Sequence, residues 1–337
     1  MKRFHKWIPA IVLITMMAGI SSCGKIKRGE YASGSATIWC DDGFRKILEE
    51  EIGVFEYSYP ESSIIPFYKS EQECIEALKK DSTQAIIITR DFTDKERAYI
   101  KSKQRRIVKS KCIAVDAVAL IVNKDNPVSQ LSMEDIRMIM NGELHNWNQL
   151  AGSDTARIEL VFDSQGSSTV NYMREKFLPS GKMISENPNA RAQKNNSEVF
   201  DVVKKNPNAI GIISVSWLGD NLERAKKVPM NDRMNLYENQ NDTVTSQLTT
   251  EVRILKVMNP TKDNDFSTIG YLPYQLYINS GEYPLYRKVW MVTTASNSTV
   301  MYSFYSFITG FVGQKIISLT GIMPYNVQPR RVELRER

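Results

Sequence analysis

The sequence predicts an α/β protein with two lobes, each built on a mostly parallel sheet flanked by helices. Between residues 36 and 125, short apolar runs alternate with amphipathic stretches, which is typical of βαβ units. The chain of 337 residues is longer than one hydrophobic core usually serves, so two lobes are expected. Two apolar strand patterns, 113–123 and 286–292, are placed to cross between the lobes and back, and they predict a hinge with two connections.

The first lobe takes its elements from uninterrupted apolar runs and the amphipathic stretches between them. The predicted strands are 36–40, 63–68 and 85–88. A helix over 44–57 follows the loop 41–43, and a second helix carries Cys74, Ala77 and Leu78 on one face at the spacing i, i+3, i+4.

Later elements are predicted from helix signals and further apolar runs. Ser132 and Asp135 have the spacing of a capping box at the start of a helix over 131–140, which Gly142 ends. The other predicted elements are helices at 170–178, 199–203 and 304–311 and strands at 210–215 and 252–258. The polar stretches 179–196 and 219–250 are predicted to be a loop and surface structure, respectively.

The junction between Val161 and Thr169 carries the strongest functional signal. An apolar strand end runs through a turn at Gly166 into three hydroxyl residues that open a helix, beginning at Ser167 and Ser168. N–H groups in the first turn of a helix have no partner within it, and the helix dipole adds about half a positive charge there. The pattern predicts exposed main-chain amides that hold a small anion, with an ordinary serine or threonine N-cap as the alternative.

The N-terminus predicts export and lipid attachment. Basic residues precede the apolar run 7–20, and the small residues Ser21 and Ser22 then stand directly before Cys23. Because this run is shorter than the roughly 20 residues that span a membrane, 1–22 is interpreted as a lipoprotein signal peptide and 23–35 as a tether. An uncleaved short anchor is the alternative. A lipid such as palmitate on Cys23 would hold the protein to a membrane outside the cytoplasm, at the periplasmic face or the cell surface.

Composition argues against several classes of function. The net charge of +6 falls when the signal peptide is removed, and no basic run interleaved with aromatics remains, so no nucleic-acid surface is expected. His145 is the single histidine after the signal peptide, which argues against a zinc site or a serine triad, and no metal or cofactor is expected. Cys40, Cys74 and Cys112 are expected to be buried free thiols, with one disulfide and a leftover thiol as the alternative.

Several segments match, in order, those of a known family. They are the strand 113–123 with the turn 126–128, the helix and glycine-to-tryptophan turn 131–147, and the segments 206–211, 283–287 and 313–324. Together they resemble the phosphate-binding proteins of bacterial ABC transporters over residues 34–325. The resemblance implies a monomeric class II periplasmic binding protein, with 36–116 and 288–330 in lobe 1 and 117–287 in lobe 2. Its ligand would bind between the lobes and hold them closed for a permease.

The resemblance also implies ligand-binding residues. The family's Gly-Ser-Gly-Thr helix start matches 166–169 except for serine at its third position, and its first-lobe loops correspond to 41–44, 69–71 and 89–91. The implied site residues are Asp42, Gly43, Ser70, Glu71, Thr89, Arg90, Asp163, Gly166, Ser167, Ser168 and Thr169.

The chain departs from the family by placing carboxylates in the site. Asp163 stands where the family has an arginine, Asp41 and Asp42 replace small residues, and Glu71 enters a glycine-serine loop. A carboxylate about 4 Å from phosphate costs about 4 kcal/mol at an intermediate dielectric, more than the roughly 0.3–2 kcal/mol that one helix terminus returns.

Three arrangements would reconcile the carboxylates with a ligand. Arg90 could neutralise one of them and hold the anion bidentately. A carboxylate could instead accept a hydrogen bond from a protonated phosphate oxygen, as the family does. The ligand could also be a cation, a zwitterion or a metal–anion pair, held by Asp42, Glu71 and Asp163.

The leading hypothesis for function is a lipid-anchored solute-binding protein that closes on a small oxyanion, most simply phosphate, for ABC-type import. The alternative is a sensor or accessory lipoprotein of the same fold whose altered cleft binds a different ligand or a protein partner. No enzymatic activity is expected, because the sequence identifies no histidine or lysine partner for the hydroxyls of residues 167–169.

Overall fold

The first half of the main sheet consists of parallel strands connected by helices. The structure, a computed structural model, describes residues 33–150, 156–239, 247–259 and 268–326. Its first strands, which pair in parallel, are β1 (Gly34–Asp41), β2 (Ser62–Lys69) and β3 (Ala85–Ile88). The helices that follow them are α1 (Arg45–Ser58), α2 (Glu71–Lys79) and α3 (Asp94–Gln104). This is the alternation that the apolar runs predict.

Strand β4 (Lys109–Val122) belongs to both halves of the main sheet. It pairs antiparallel with β12 (Tyr286–Thr293) along residues 109–117 and with β8 (Ala209–Ser214) along 118–122. In the second half, β6 (Glu159–Phe162) lies parallel to β8 and to β7 (Ala190–Ala192). The order β2-β1-β3-β12-β4-β8-β6-β7 therefore places both predicted long strands at the centre.

The remaining elements cover the sheet and connect its halves. They are β5 (Gln130–Ser132), α4 (Met133–Asn141), α5 (Ser168–Phe177), α6 (Asn196–Lys205), α7 (Asp220–Ala225), α8 (Met230–Glu238), β9 (Arg253–Ile254), β10 (Lys256–Met258), β11 (Gly270–Tyr271), α9 (Gln275–Asn279), α10 (Val300–Ile308), α11 (Phe311–Leu319) and β13 (Met323–Pro324). The mixed α/β class is confirmed, whereas the division into lobes at residues 116/117 and 287/288 stays a prediction.

Three segments differ from their predicted structure. The predicted loop 179–196 contains β7, because these residues extend the sheet beside β6. The predicted strand 252–258 is divided at Leu255 into β9 and β10, which pair with β4 and β5, respectively. The apolar stripe of residues 304–311 is shared by α10 and α11, because a turn separates these two helices.

The polar stretch 219–250 is more firmly packed than a surface segment. In its described part, α8 carries Tyr237, which is fully buried and donates its hydroxyl to Glu50 Oε1 at 2.8 Å. Arg233 of the same helix pairs with that carboxylate at 2.7 Å. The prediction of surface structure is therefore wrong for α8, because one carboxylate of α1 binds two of its side chains.

Other predictions concern the cysteines and the N-terminus. Cys40, Cys74 and Cys112 are buried free thiols, as expected. The predicted signal peptide, Cys23 and most of the tether lie outside the described residues. None of the helices in the described ranges combines the length and apolarity that crossing a membrane requires.

Candidate anion-binding site

The start of α5 has the predicted form of an anion site. Ser167 is the N-cap, and its hydroxyl accepts a hydrogen bond from Val170 N at 3.1 Å. Ser168 and Thr169 are fully buried in the first turn. Gly166 lies against the other half of the sheet, since a Cβ there would be 3.2 Å from Ser70 Oγ. The helix start therefore faces the loops at the ends of the first-half strands.

A carboxylate of the protein itself occupies this helix start. Asp41, the last residue of β1, accepts hydrogen bonds from Ser168 N at 3.0 Å and from Ser168 Oγ at 2.8 Å. Its Oδ1 atom also accepts from Gly43 N at 3.0 Å. The expectation of exposed main-chain amides is wrong, because Asp41 is itself an oxyanion that satisfies them. The preference of the site for an oxyanion is nonetheless visible in this contact.

The predicted site residues Asp42 and Gly43 lie nearby but are bound to protein groups. Asp42 pairs with Arg45 at 2.7 Å and accepts from the main-chain N–H of Asn196 at 3.2 Å. The carbonyl of Gly43 accepts hydrogen bonds from Ser216 Oγ and from the indole of Trp217. Both residues thus connect the end of β1 to the second half of the sheet.

Asp163 connects two helix starts. Its Oδ1 atom accepts a hydrogen bond from Ser167 Oγ, and its Oδ2 atom accepts from Asn196 Nδ2 at 3.1 Å. Burial, followed by the negative charge of Asp41, raises the pKa of Asp163 to about 7. Its two oxygens are therefore used within the fold.

The remaining first-half residues form two local networks. Ser70 caps α2 in a capping box with Glu73. Glu71 accepts from the main-chain N–H and the hydroxyl of Thr89 at 2.6 and 2.7 Å. Arg90 forms a bidentate pair with Glu96 rather than with a carboxylate at a strand end, so its expected neutralising role is wrong. Glu96 lies in the first turn of α3, close enough to take both guanidinium nitrogens.

Arg287 of β12 supplies the buried positive charge that sequence reasoning missed. It donates through Nε to Asp116 Oδ2 at 3.1 Å and through Nη2 to Thr169 Oγ1 at 3.1 Å. Its Nη1 atom is buried without a hydrogen-bond partner. Arg287 and Asp116 are direct partners in the register of β12 and β4. The sequence signal that could have identified this pair is the presence of Asp116 and Arg287, with opposite charges, in two otherwise apolar strand patterns.

The charge of Arg287 acts on three buried carboxylates, those of Asp41, Asp116 and Asp163. Burial raises the pKa of Asp41 to about 6, and the nearby charge of Glu71 adds to the effect, whereas Arg287 and Ser168 oppose it. Burial also raises the pKa of Asp116, against the attraction of Arg287. The described residues contain no group of three or more His, Cys, Asp or Glu side chains that could hold a metal ion. The arrangement can hold an anion at the helix start. Near neutral pH, that anion competes for the position with the carboxylate of Asp41.

Comparisons with known proteins agree on the fold. A family model described as "PBP superfamily domain" matches residues 26–311. The phosphate-binding protein PstS of Borreliella burgdorferi is 24% identical over 194 residues, which cover 56% of this chain and 65% of that protein. The PstS of Staphylococcus haemolyticus is 26% identical over 43% of this chain and 44% of its own length. The match thus spans less than two thirds of either relative.

Solved structures extend the likeness to most of the chain. An ABC-type phosphate transport receptor from Vibrio cholerae covers 86% of this chain and 99% of its own, with a TM-score of 0.58 and 20% identity. A phosphate-binding protein from Stenotrophomonas maltophilia covers 87% of this chain and 91% of its own, with a TM-score of 0.58 and 12% identity. Because the family model matches most of its length, the chain belongs to the family described as "PBP superfamily domain".

Proposed function

We propose that this protein is an extracytoplasmic solute-binding protein that binds a small oxyanion, most simply phosphate, and presents it to an ABC permease. The observation that carries the proposal is the contact between the start of α5 and the carboxylate of Asp41. It is an oxyanion held by a main-chain N–H and a hydroxyl, which are donors that suit phosphate equally. The relatives above are named as phosphate-binding proteins or phosphate receptors, and a binding role without catalysis fits them.

The proposed ligand takes the place of Asp41 on Ser168. The hydroxyl of Thr169 lies in the same helix turn, and Arg287 adds a guanidinium that already contacts this hydroxyl. Arginine binds phosphate oxygens through charge-assisted hydrogen bonds, which are shorter and stronger than neutral ones. The helix start and Arg287 together replace the arginine that the family has at the position of Asp163.

Replacing Ser168 with Asp should abolish phosphate binding. The new carboxylate would project from the first helix turn, where it competes for the donors and repels an incoming anion. Isothermal titration of the chain that begins after residue 23, with phosphate and sulfate, measures the effect. Ser102→Asp places the same substitution on the exposed part of α3 and should leave binding unchanged. Absence of binding heat for the unmodified protein and for the Asp41→Asn variant would contradict the oxyanion assignment.

We also propose that Cys23 carries a lipid that anchors the protein, as a monomer, to a membrane. The basic start, the apolar run and the small residues before Cys23 support this attachment. Metabolic labelling with a fatty acid should mark the full-length protein, and Cys23→Ser should remove the label. Cys112→Ser, at a buried thiol, is the matched control. A label that persists in Cys23→Ser would contradict the anchor.

The sensor or accessory lipoprotein is retained as a second candidate, because Asp41 fills the anion site of this chain. A receptor whose site is permanently occupied by its own side chain would retain the fold without transporting the ion. The titrations separate the two candidates. Oxyanion binding that appears only after Asp41→Asn favours the sensor, whereas binding by the unmodified protein favours the receptor.

A further inference from the structure

Positive charge is concentrated in one short segment, at the end of α3 and the start of β4. Residues 101–111 contain six basic residues and no acidic one. The predicted signal peptide carries three of the six excess positive charges of the chain, so this segment alone has more excess charge than the whole chain from residue 23 onward. The rest of that chain is therefore acidic on balance.

Four exposed residues at the end of α3 and directly after it form the basic tip. They are Lys101, Lys103, Arg105 and Ile107. The neighbouring Arg106 pairs with Asp81 at 2.8 Å. In the described part of the chain, no ion pair includes any of the three cations of the basic tip. Their charges are therefore available to an external partner.

The helix dipole explains only part of this pattern. Lys101 and Lys103 lie in the last turn of α3, where the partial negative charge of a helix C-terminus favours cations. Arg105 comes after that turn, in the left-handed conformation with a φ of 56°. Ile107 follows it and is 73% exposed. An exposed apolar side chain among cations suits the surface of an anionic bilayer, where cations contact headgroups and the apolar group enters the acyl boundary.

The basic tip lies at the end of the sheet where the described chain begins. Thr293 of β12 is in register with Ala85, the first residue of β3, and with Lys109, the first residue of β4. Lys109 comes two positions after Ile107, so the basic tip is at this end. Since β1 runs parallel to β3, its first residue, Gly34, lies at the same end.

This placement brings the basic tip close to the proposed lipid and away from the anion site. Cys23 precedes Gly34 by 11 positions. A chain of this length spans at most about 40 Å when fully extended. Asp41, which contacts the start of α5, is at the other end of β1. A lipid on Cys23 would therefore hold the basic tip near the bilayer and leave the anion site at the far end of the strand.

We propose that the basic tip binds the surface of an anionic phospholipid bilayer. The three cations would contact lipid phosphates, and Ile107 would enter the boundary between the headgroups and the acyl chains. Each Lys or Arg near an anionic bilayer strengthens binding by roughly fivefold. A basic patch and a lipid together give firmer attachment than either alone. The inference goes beyond the proposed function and does not depend on which ligand the anion site holds.

Sedimentation with vesicles tests the inference on the chain that begins after residue 23. This chain contains all the described residues and lacks the lipid. The vesicles consist of phosphatidylcholine alone or with an equal amount of phosphatidylglycerol. We expect binding to the mixed vesicles and about tenfold weaker binding, or less, to the neutral ones.

Two triple variants separate the basic tip from the total charge. Lys101→Gln/Lys103→Gln/Arg105→Gln should weaken binding to the mixed vesicles by about tenfold or more. Lys124→Gln/Lys205→Gln/Lys227→Gln removes the same charge at exposed positions elsewhere and should change binding by less than about twofold. Ile107→Ser should weaken binding by about fivefold, because it removes the apolar contact. Circular dichroism checks that the variants fold.

Three outcomes would overturn the inference. The first is absence of binding to the mixed vesicles. The second is equal weakening by the two triple variants, which would show that the total charge decides rather than the basic tip. The third is binding that Ile107→Ser leaves unchanged while the charge variant weakens it, which would assign the basic tip to a soluble polyanion such as a nucleic acid. Oxyanion binding is measured separately, so these outcomes leave the proposed function standing.

Discussion

Replacing Asp41 with Asn is expected to raise the affinity for phosphate and sulfate by about tenfold or more at pH 7.5. The carboxylate of Asp41 holds Ser168 N and Ser168 Oγ, so an anion that uses these donors must displace it or lie against it. Two like charges about 4 Å apart repel by about 4 kcal/mol at a dielectric constant near 20, which sets an upper limit of about a thousandfold. Asn keeps the size of the side chain and one acceptor while removing the charge.

The pH dependence of the unmodified protein should show the same competition. Because the pKa of Asp41 is raised to about 6, its charge is lost as the pH falls below that value. Sulfate keeps its charge over this range, so its affinity should rise between pH 8 and pH 5. Asp163, with a pKa of about 7, contributes to the same rise. In Asp41→Asn, the dependence that remains should follow the other buried carboxylates whose pKa is raised, Asp163 and Asp116.

The control for the Asp41→Asn prediction is the same substitution at the neighbouring carboxylate, Asp42. Asp42 is paired with Arg45 and Asn196, so Asp42→Asn should change the affinity far less than Asp41→Asn. Titration calorimetry of the three proteins gives the comparison. A lower affinity in Asp41→Asn would show that Asp41 accepts a hydrogen bond from the protonated ligand, and its role as a competitor would be abandoned.

Replacing Asp163 with Asn is expected to stabilise the protein above pH 7 by on the order of 4 kcal/mol. The pKa of Asp163 is raised from 3.8 to about 7, so the folded state binds its proton more tightly than the unfolded state does. The stability that this group contributes is present below its unfolded pKa and is lost as the pH rises through the folded value. The neutral amide avoids this loss. The free energies of unfolding of the two proteins should therefore be similar near pH 4 and differ increasingly up to pH 7.

The local contacts permit this substitution. Asn196 donates to Asp163 Oδ2, and its own Oδ1 atom is buried without a hydrogen-bond partner. An amide at 163 whose carbonyl still accepts from Ser167 places its NH2 group against Asn196 Nδ2, so the amide of Asn196 has to turn over and present its Oδ1 atom as the acceptor. Urea unfolding at several pH values measures the difference. Asp201→Asn, on the exposed face of α6, should change the free energy of unfolding by less than about 0.5 kcal/mol. Destabilisation of Asp163→Asn at pH 8 would show that the ionised carboxylate is favourable.

Local signals in the sequence predicted much of the fold and part of the site. The capping box of Ser132 and Asp135 and the cap at Ser167 depend on neighbouring residues, and the structure confirms both. The apolar runs placed β1, β3 and β8 correctly, because buried strands need uninterrupted apolar residues.

The contacts that the sequence did not reveal join distant parts of the chain. Asp41 and Ser168 are 127 positions apart, and Arg287 and Asp116 are 171 apart. Which carboxylate reaches the helix start depends on how the halves of the sheet meet, and local periodicity carries no information about that. The same limit explains Arg90, whose nearby partner Glu96 was preferred over the carboxylates at the strand ends.

Under the proposed function, the contact between Asp41 at the end of β1 and Ser168 at the start of α5 has a consequence for energy use by an importer. A permease that recognises only the closed form of its receptor would also respond to a receptor without ligand that Asp41 holds closed. ATP would then be hydrolysed without transport of an ion. For a protein built this way, the signal of occupancy has to come from something that the cargo changes and Asp41 does not. Displacement of the Asp41 carboxylate from Ser168 is such a change, because only a bound anion produces it.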